Sequence, residues 1–293
     1  MTRAAAFAAV FAVTVSAAAP AWAAPVCSEI TTRREMNVVI PAYIYPSTQE
    51  PNASYWNKIL ADAVRAGKVG FRLAVVVNPS SGDFTTEDPN YTAIIDRLDA
   101  AGALVIGYVY SSYGTRPVTT VRTNIEAYRA IYPKVKGIFI DEAQMDSSHF
   151  GYYWALRRTV NQNFGGGAFV IGNAPGSQLS HTRYRELFDL TIAYENVGGA
   201  LASFVQQDIV RYASPSQIGY IVNAVDQISS TSAQTRACGI LKSLRYAPTS
   251  TRNAGWWYLT TDSGANAYDT LGTEHEAFMQ ATCWATNLHA CPN

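Results

Sequence analysis

Eight short apolar runs recur along this chain, and their regular spacing constrains its fold more than any other feature. They occupy residues 36–45, 71–78, 103–110, 135–141, 168–173, 190–195, 217–223 and 255–261, each rich in β-branched or aromatic side chains. From 36 to 255 their starts fall about 31 residues apart on average, the length of one strand-helix unit. Between them lie longer segments with 3.6-residue apolar spacing, at 55–66, 91–101, 118–131, 152–163, 183–188, 201–212, 231–244 and 274–287. Eight such units close most simply as a (β/α)₈ TIM barrel, an α/β fold of a single domain. An open doubly wound sheet would carry a glycine-rich phosphate turn after its first strand, and Tyr45-Pro46-Ser47-Thr48 is not one.

The chain opens with Arg3, a small and apolar stretch over 4–20, and the ending Ala21-Trp22-Ala23. Residues 1–24 therefore read as a secretion signal peptide, leaving 25–293 as the barrel, and no later segment has membrane-spanning length. All four cysteines, Cys27, Cys238, Cys283 and Cys291, lie beyond the signal, which predicts two disulfides. Links that tie the N-terminal segment to the last two helices are favoured among the three connectivities. With 22 basic and 22 acidic residues the chain has no basic excess for nucleic acid. A secreted monomer with no membrane partner is the expectation.

Barrel enzymes place their chemistry at the C-terminal ends of strands. Those ends supply Tyr43 and Tyr45, Asn78, Tyr108 and Tyr110, Asp141 and Glu142, Asn173, Tyr194 and Glu195, Asn223, and Trp257. Asp141 and Glu142 end the buried run Val135-Lys136-Gly137-Ile138-Phe139-Ile140, where carboxylates lose water and must find partners or titrate abnormally. The alternative for Asp141 is a helix cap. Aromatic planes, amides and three carboxylates, with no Ser-His-Asp order or histidine cluster, fit a sugar site. Adjacent residues on a strand face opposite ways, so Asp141 needs a partner from another strand, and Glu195 is the carboxylate so placed.

The segments following the strands hold twelve Asp or Glu against Arg116 alone. Helix dipoles account for part of that imbalance, and the rest would favour a neutral or cationic polymer.

At these residues the chain resembles the spherulin-4-like glycoside hydrolases. The resemblance rests on Pro41-Ala42-Tyr43-Ile44-Tyr45-Pro46-Ser47, Asn78-Pro79-Ser80-Ser81-Gly82, Gly107-Tyr108-Val109-Tyr110-Ser111-Ser112-Tyr113-Gly114-Thr115-Arg116, Gly137-Ile138-Phe139-Ile140-Asp141-Glu142, Gly172-Asn173-Ala174-Pro175-Gly176 and Tyr194-Glu195. It implies a secreted endo-acting hydrolase of polysaccharide containing α-1,4-linked galactosamine or N-acetylgalactosamine, with Asp141, Glu142 and Glu195 as the catalytic acids. On this reading Asp141 faces the anomeric carbon, Glu195 protonates the leaving oxygen, and the two roles are exchangeable. Glu142 tunes the pair. Tyr43, Tyr108, Tyr110 and Trp257 stack on sugar, Asn78 and Asn173 read its polar groups, and no metal or organic cofactor is required. The alternative is a non-catalytic carbohydrate-binding or surface-matrix protein on the same barrel.

Overall fold

The computed structural model describes residues 26–292 apart from 175–178, 206, 208–209, 211–212, 230, 247–251 and 265. Eight parallel strands form a closed barrel in chain order: β1 (Asn37–Ala42), β2 (Leu73–Val77), β3 (Leu104–Tyr110), β4 (Gly137–Asp141), β5 (Phe169–Asn173), β6 (Leu190–Val197), β7 (Ile218–Asn223) and β8 (Trp256–Leu259). Closure is made by Asn37 and Val38 of β1 against Trp256 and Trp257 of β8. Every residue of β2, Leu73-Ala74-Val75-Val76-Val77, is buried. That is the signature of a parallel sheet covered on both faces, so runs of Val and Ile replace the alternation of a half-exposed sheet.

Around the barrel, the described residues form six α-helices: α1 (Asn52–Val69), α2 (Pro89–Ala100), α3 (Val118–Ile131), α4 (Phe150–Phe164), α5 (Ala233–Leu241) and α6 (His275–Asn287). The local chemistry sets their ends. Asp88 accepts the Asn90 N–H at the start of α2, with Pro89 in the first turn, and Gly70 takes the left-handed turn (φ 94) that ends α1. The segment expected to be helical over 183–188 is a single 3₁₀ turn, Thr182–Glu186. The expected helix over 201–212 falls partly outside the described residues, as does the whole of the signal peptide.

Close packing dictates glycine at Gly137, where a Cβ would stand 1.9 Å from the Phe169 carbonyl oxygen of the next strand. The two disulfides are Cys27–Cys238, joining the N-terminal segment to α5, and Cys283–Cys291, joining α6 to the tail. The first is a link of the expected kind, whereas the second is local to the last helix. No helix among the described residues is long and apolar enough to cross a membrane.

Candidate active site

β4 ends on Asp141, and the chain turns at once: Glu142 sits at φ 50, a left-handed conformation that side-chain-bearing residues avoid. The turn is held by the loop after β3. Ser111 N–H donates to the Asp141 carbonyl at 3.0 Å, and Tyr113 N–H donates to the Glu142 carbonyl at 2.7 Å. The buried Ser111 hydroxyl lies 2.8 Å from that same carbonyl and 2.9 Å from the Tyr153 hydroxyl of α4. Asp141 is thereby fixed by the backbone before its carboxylate makes any contact.

That carboxylate accepts three hydrogen bonds. Tyr108 OH donates to Oδ2 at 2.8 Å, while Asn173 Nδ2 and the Glu142 N–H each donate to Oδ1 at 2.8 Å. Asn173 ends β5 and is buried, and its same amide nitrogen also donates to Glu195 Oε2. One amide thus joins two carboxylates. Each oxygen is within a hydrogen bond of a shared nitrogen, so the two lie within about 6 Å of one another.

Glu195 reaches this position through an irregularity in β6. Its register against β7 runs Ile192↔Gly219 and then Tyr194↔Tyr220, so β6 carries one extra residue just before the glutamate. A bulge of this kind re-aims the side chains that follow it. Glu195 Oε1 accepts a hydrogen bond from Tyr268 OH, and Tyr268 OH in turn accepts Asn223 Nδ2 at 3.2 Å. Burial, and then the charge of Asp141, push the Glu195 carboxyl above the ordinary glutamate range, while the bonds from Tyr268 and Asn173 pull it back. Tyr43 packs edge-on between the two holding rings, 5.4 Å from Tyr108 and 5.5 Å from Tyr268. Burial first, and then Asp141, keep the Tyr108 hydroxyl protonated far above its usual range, so it remains a donor.

Asp141, Asn173, Glu195, Tyr108, Tyr43 and Asn223 therefore converge, with Glu142 beside them. Other sequence-derived candidates stand apart. Tyr194 does not face the mouth: its ring stacks on Tyr220 at 5.9 Å, and its hydroxyl donates to the Val197 carbonyl at 2.7 Å. Trp257 is fully buried, packing 5.0 Å from Phe278 of α6 and donating through Nε1 to Thr282 at 3.0 Å. Both belong to the layer between barrel and helices: Tyr194 because neighbours on a strand alternate and Glu195 takes the inward side, Trp257 as its contacts with the last helix show. Tyr110 lies beneath the Arg116 guanidinium at 4.1 Å. Tyr45 turns toward the start of α2, its hydroxyl donating to Asp88 at 3.0 Å. Asn78 presents its carbonyl to Tyr91 OH at 3.1 Å and makes no bond to the carboxylates.

Part of the acidic imbalance is structural. Glu274 is buried and paired with Arg236, and Asp88 caps α2. Asp146 accepts from Ser148 and His149, bonds that hold it well below the usual carboxylate range. Sequence reasoning missed Tyr268, which lies in the segment between β8 and α6. Its signal was available as the sole aromatic residue of 260–274.

Two carboxylates from non-adjacent strands, joined by an amide and each held by a tyrosine, thus meet at the C-terminal end of a closed (β/α)₈ barrel, where barrel enzymes place their chemistry. The chain belongs to spherulation-specific family 4, Spherulin4, whose family model it matches over residues 37–282. It is 30% identical over 172 residues to Spherulin-4 of Physarum polycephalum, an alignment covering 58% of this chain and 48% of that protein, so the chain spans about half of its curated relative. Among solved structures it is similar in fold to Aspergillus clavatus Sph3 in complex with GalNAc. That likeness has a TM-score of 0.69 and 22% identity, covering 85% of this chain and 98% of the other.

Proposed function

We propose that this protein is a secreted, monomeric endo-glycosidase that cleaves polysaccharide containing α-1,4-linked galactosamine or N-acetylgalactosamine. The observation that carries this reading is the single Asn173 amide bonded to both Asp141 and Glu195. A polar bridge of that kind fixes the separation of two acids, the quantity that sets the course of glycoside hydrolysis. Further support comes from the GalNAc bound to Sph3 and from the family resemblance of the strand ends.

Asp141, its carboxylate fixed in place by three hydrogen bonds, is the acid that attacks the anomeric carbon. Glu195 is the proton donor, because burial beside Asp141 holds its proton to higher pH than an ordinary glutamate. Asp141 attacks the anomeric carbon as the glycosidic bond breaks, and the Glu195 proton passes to the leaving oxygen. Water, deprotonated by Glu195, then releases the sugar from Asp141. The short separation favours this two-step course with retention over direct attack by water, which needs about 6.5 to 9.5 Å between the acids. Glu142 adds negative charge beside the positive character developing at the anomeric carbon.

A panel of defined glycans, with products identified by mass and first-formed anomer followed by proton NMR, tests the proposal. Release of α-configured amino-sugar oligomers is expected. Binding of those glycans with no product at any enzyme concentration would identify a carbohydrate-binding protein instead.

A further inference from the structure

The loop after β3 makes three successive left-handed turns, at Ser112 (φ 45), Tyr113 (φ 56) and Gly114 (φ 81). Glycine adopts this conformation freely, whereas serine and tyrosine do so at an energetic cost. The loop is nonetheless tightly pinned. Tyr113 N–H donates to Glu142 O at 2.7 Å, Gly114 N–H to Ser111 O at 3.0 Å, and Thr115 Oγ1 to Ser112 O at 2.6 Å. On the other side, the His149 ring packs so close to Gly114 that a Cβ there would stand 2.5 Å from it.

What this strained, fixed loop presents is a tyrosine ring that is 48% exposed. Among the described residues no ring packs on it and no group bonds its hydroxyl, so no specific contact within the fold accounts for holding this ring at a strained position. Its position is informative. Its N–H bonds the Glu142 carbonyl at 2.7 Å, which sets the residue against the turn that follows Asp141, and partial burial, then the charges of Glu142, Asp141 and Glu195, push its hydroxyl above the ordinary range. An exposed aromatic plane beside paired carboxylates, held at the expense of backbone strain, meets the geometric demand of a stacking partner for sugar.

We propose that Tyr113 is a substrate-binding platform, its ring taking the apolar face of a galacto-configured pyranose next to the bond that is cleaved. The axial hydroxyl of such a sugar leaves a continuous run of C–H groups on one face, and an aromatic plane covers that run. This rests on the function proposed above and adds a subsite to it.

The test uses the full-length protein with Glu195→Gln, so that binding is read without turnover, and an α-1,4-linked galactosamine oligomer with its N-acetylated counterpart as probes. Adding Tyr113→Gly removes the ring and relieves the left-handed strain together. Affinity for at least one probe falls about tenfold while the thermal midpoint stays level or rises, a pairing that damage to the fold would not produce. Tyr113→Phe, which keeps the plane, binds within about twofold of the parent. In the active background, Tyr113→Gly raises KM and changes the lengths of the released oligomers. Unchanged affinity in Tyr113→Gly overturns the platform alone. Failure of the Glu195→Gln parent to bind either oligomer overturns the proposed function, and the platform with it.

Discussion

The two ends of the barrel differ in which residues take the left-handed backbone conformation. At the N-terminal end, where helices return to strands, most left-handed turns fall to glycine, Gly70 at φ 94 and Gly102 and Gly165 each at φ 87, with Asn253 before β8 at φ 45 the exception. At the mouth glycines such as Gly82 at φ 80 and Gly114 at φ 81 share them with residues that carry side chains. Among the described residues, six of the eight left-handed non-glycine positions lie in the loops after β2, β3, β4 and β7: Ser80, Ser81, Ser112, Tyr113, Glu142 and Ala224. The floor is also where charge is neutralised simply, with Asp99 between Lys134 and Lys136 at 3.1 Å each. At the mouth, by contrast, Glu195 is buried beside another carboxylate. The contrast teaches that most of the strained side-chain-bearing turns, and the burial of one carboxylate beside another, gather at the mouth rather than at the floor.

Substitutions at the two ends should therefore separate activity from stability. The largest expected effect is at Asp141→Asn, which retains shape but removes the proposed nucleophile; reducing-end release should fall on the order of 10⁴-fold. Glu195→Gln should lower the rate about 10²- to 10⁴-fold. The same change alters stability with a definite sign. A carboxyl whose folded value is raised gives the fold an advantage below the ordinary glutamate range, and that advantage is lost as pH rises through the raised value. Hence the difference in thermal midpoint between Glu195→Gln and wild type should shift in the variant's favour as pH is raised from acid to neutral. A constant difference would show that Glu195 is not carrying the electrostatic cost.

Tyr268→Phe keeps the ring against Tyr43 and removes the bond to Glu195. That bond lowers the Glu195 value, so its loss should move the alkaline limb of the pH–rate profile upward, with kcat falling about tenfold. An unmoved limb would confine Tyr268 to packing. The smallest effect belongs to the floor. Gly102→Ala finds open space around its new methyl group but must hold φ 87, so it should cost about 1 kcal/mol in denaturant unfolding and leave kcat and KM untouched. A kinetic defect there would blur the distinction between the two ends.

How much of this was legible depended on periodicity. The eight strands were, because a parallel barrel buries both faces and writes each strand as an apolar run that needs no alternation to be seen. Asp141, Asn173 and Asn223 were legible because each is the last residue of its strand. The side chosen by each tyrosine was harder. Taking Tyr194 and Glu195 as one site placed adjacent residues on one face, which a strand forbids, and the bulge that directs Glu195 inward leaves no mark in a single sequence. Trp257 was drawn in by its place near the end of β8, although its ring packs under α6. Tyr268 was hard to place for the opposite reason: it stands out as the sole aromatic residue of 260–274, but a loop has no period that says where it points.

The central claim is that Asp141 and Glu195, held together by Asn173, break the glycosidic bond of an amino-sugar polymer. The most direct measurement is the rate of new reducing ends from α-1,4-linked galactosamine polymer with wild type, Asp141→Asn and Glu195→Gln at matched folded concentration. The account predicts steady release by wild type and loss of at least about 10²-fold in each variant. Release at near wild-type rate by either variant would contradict it.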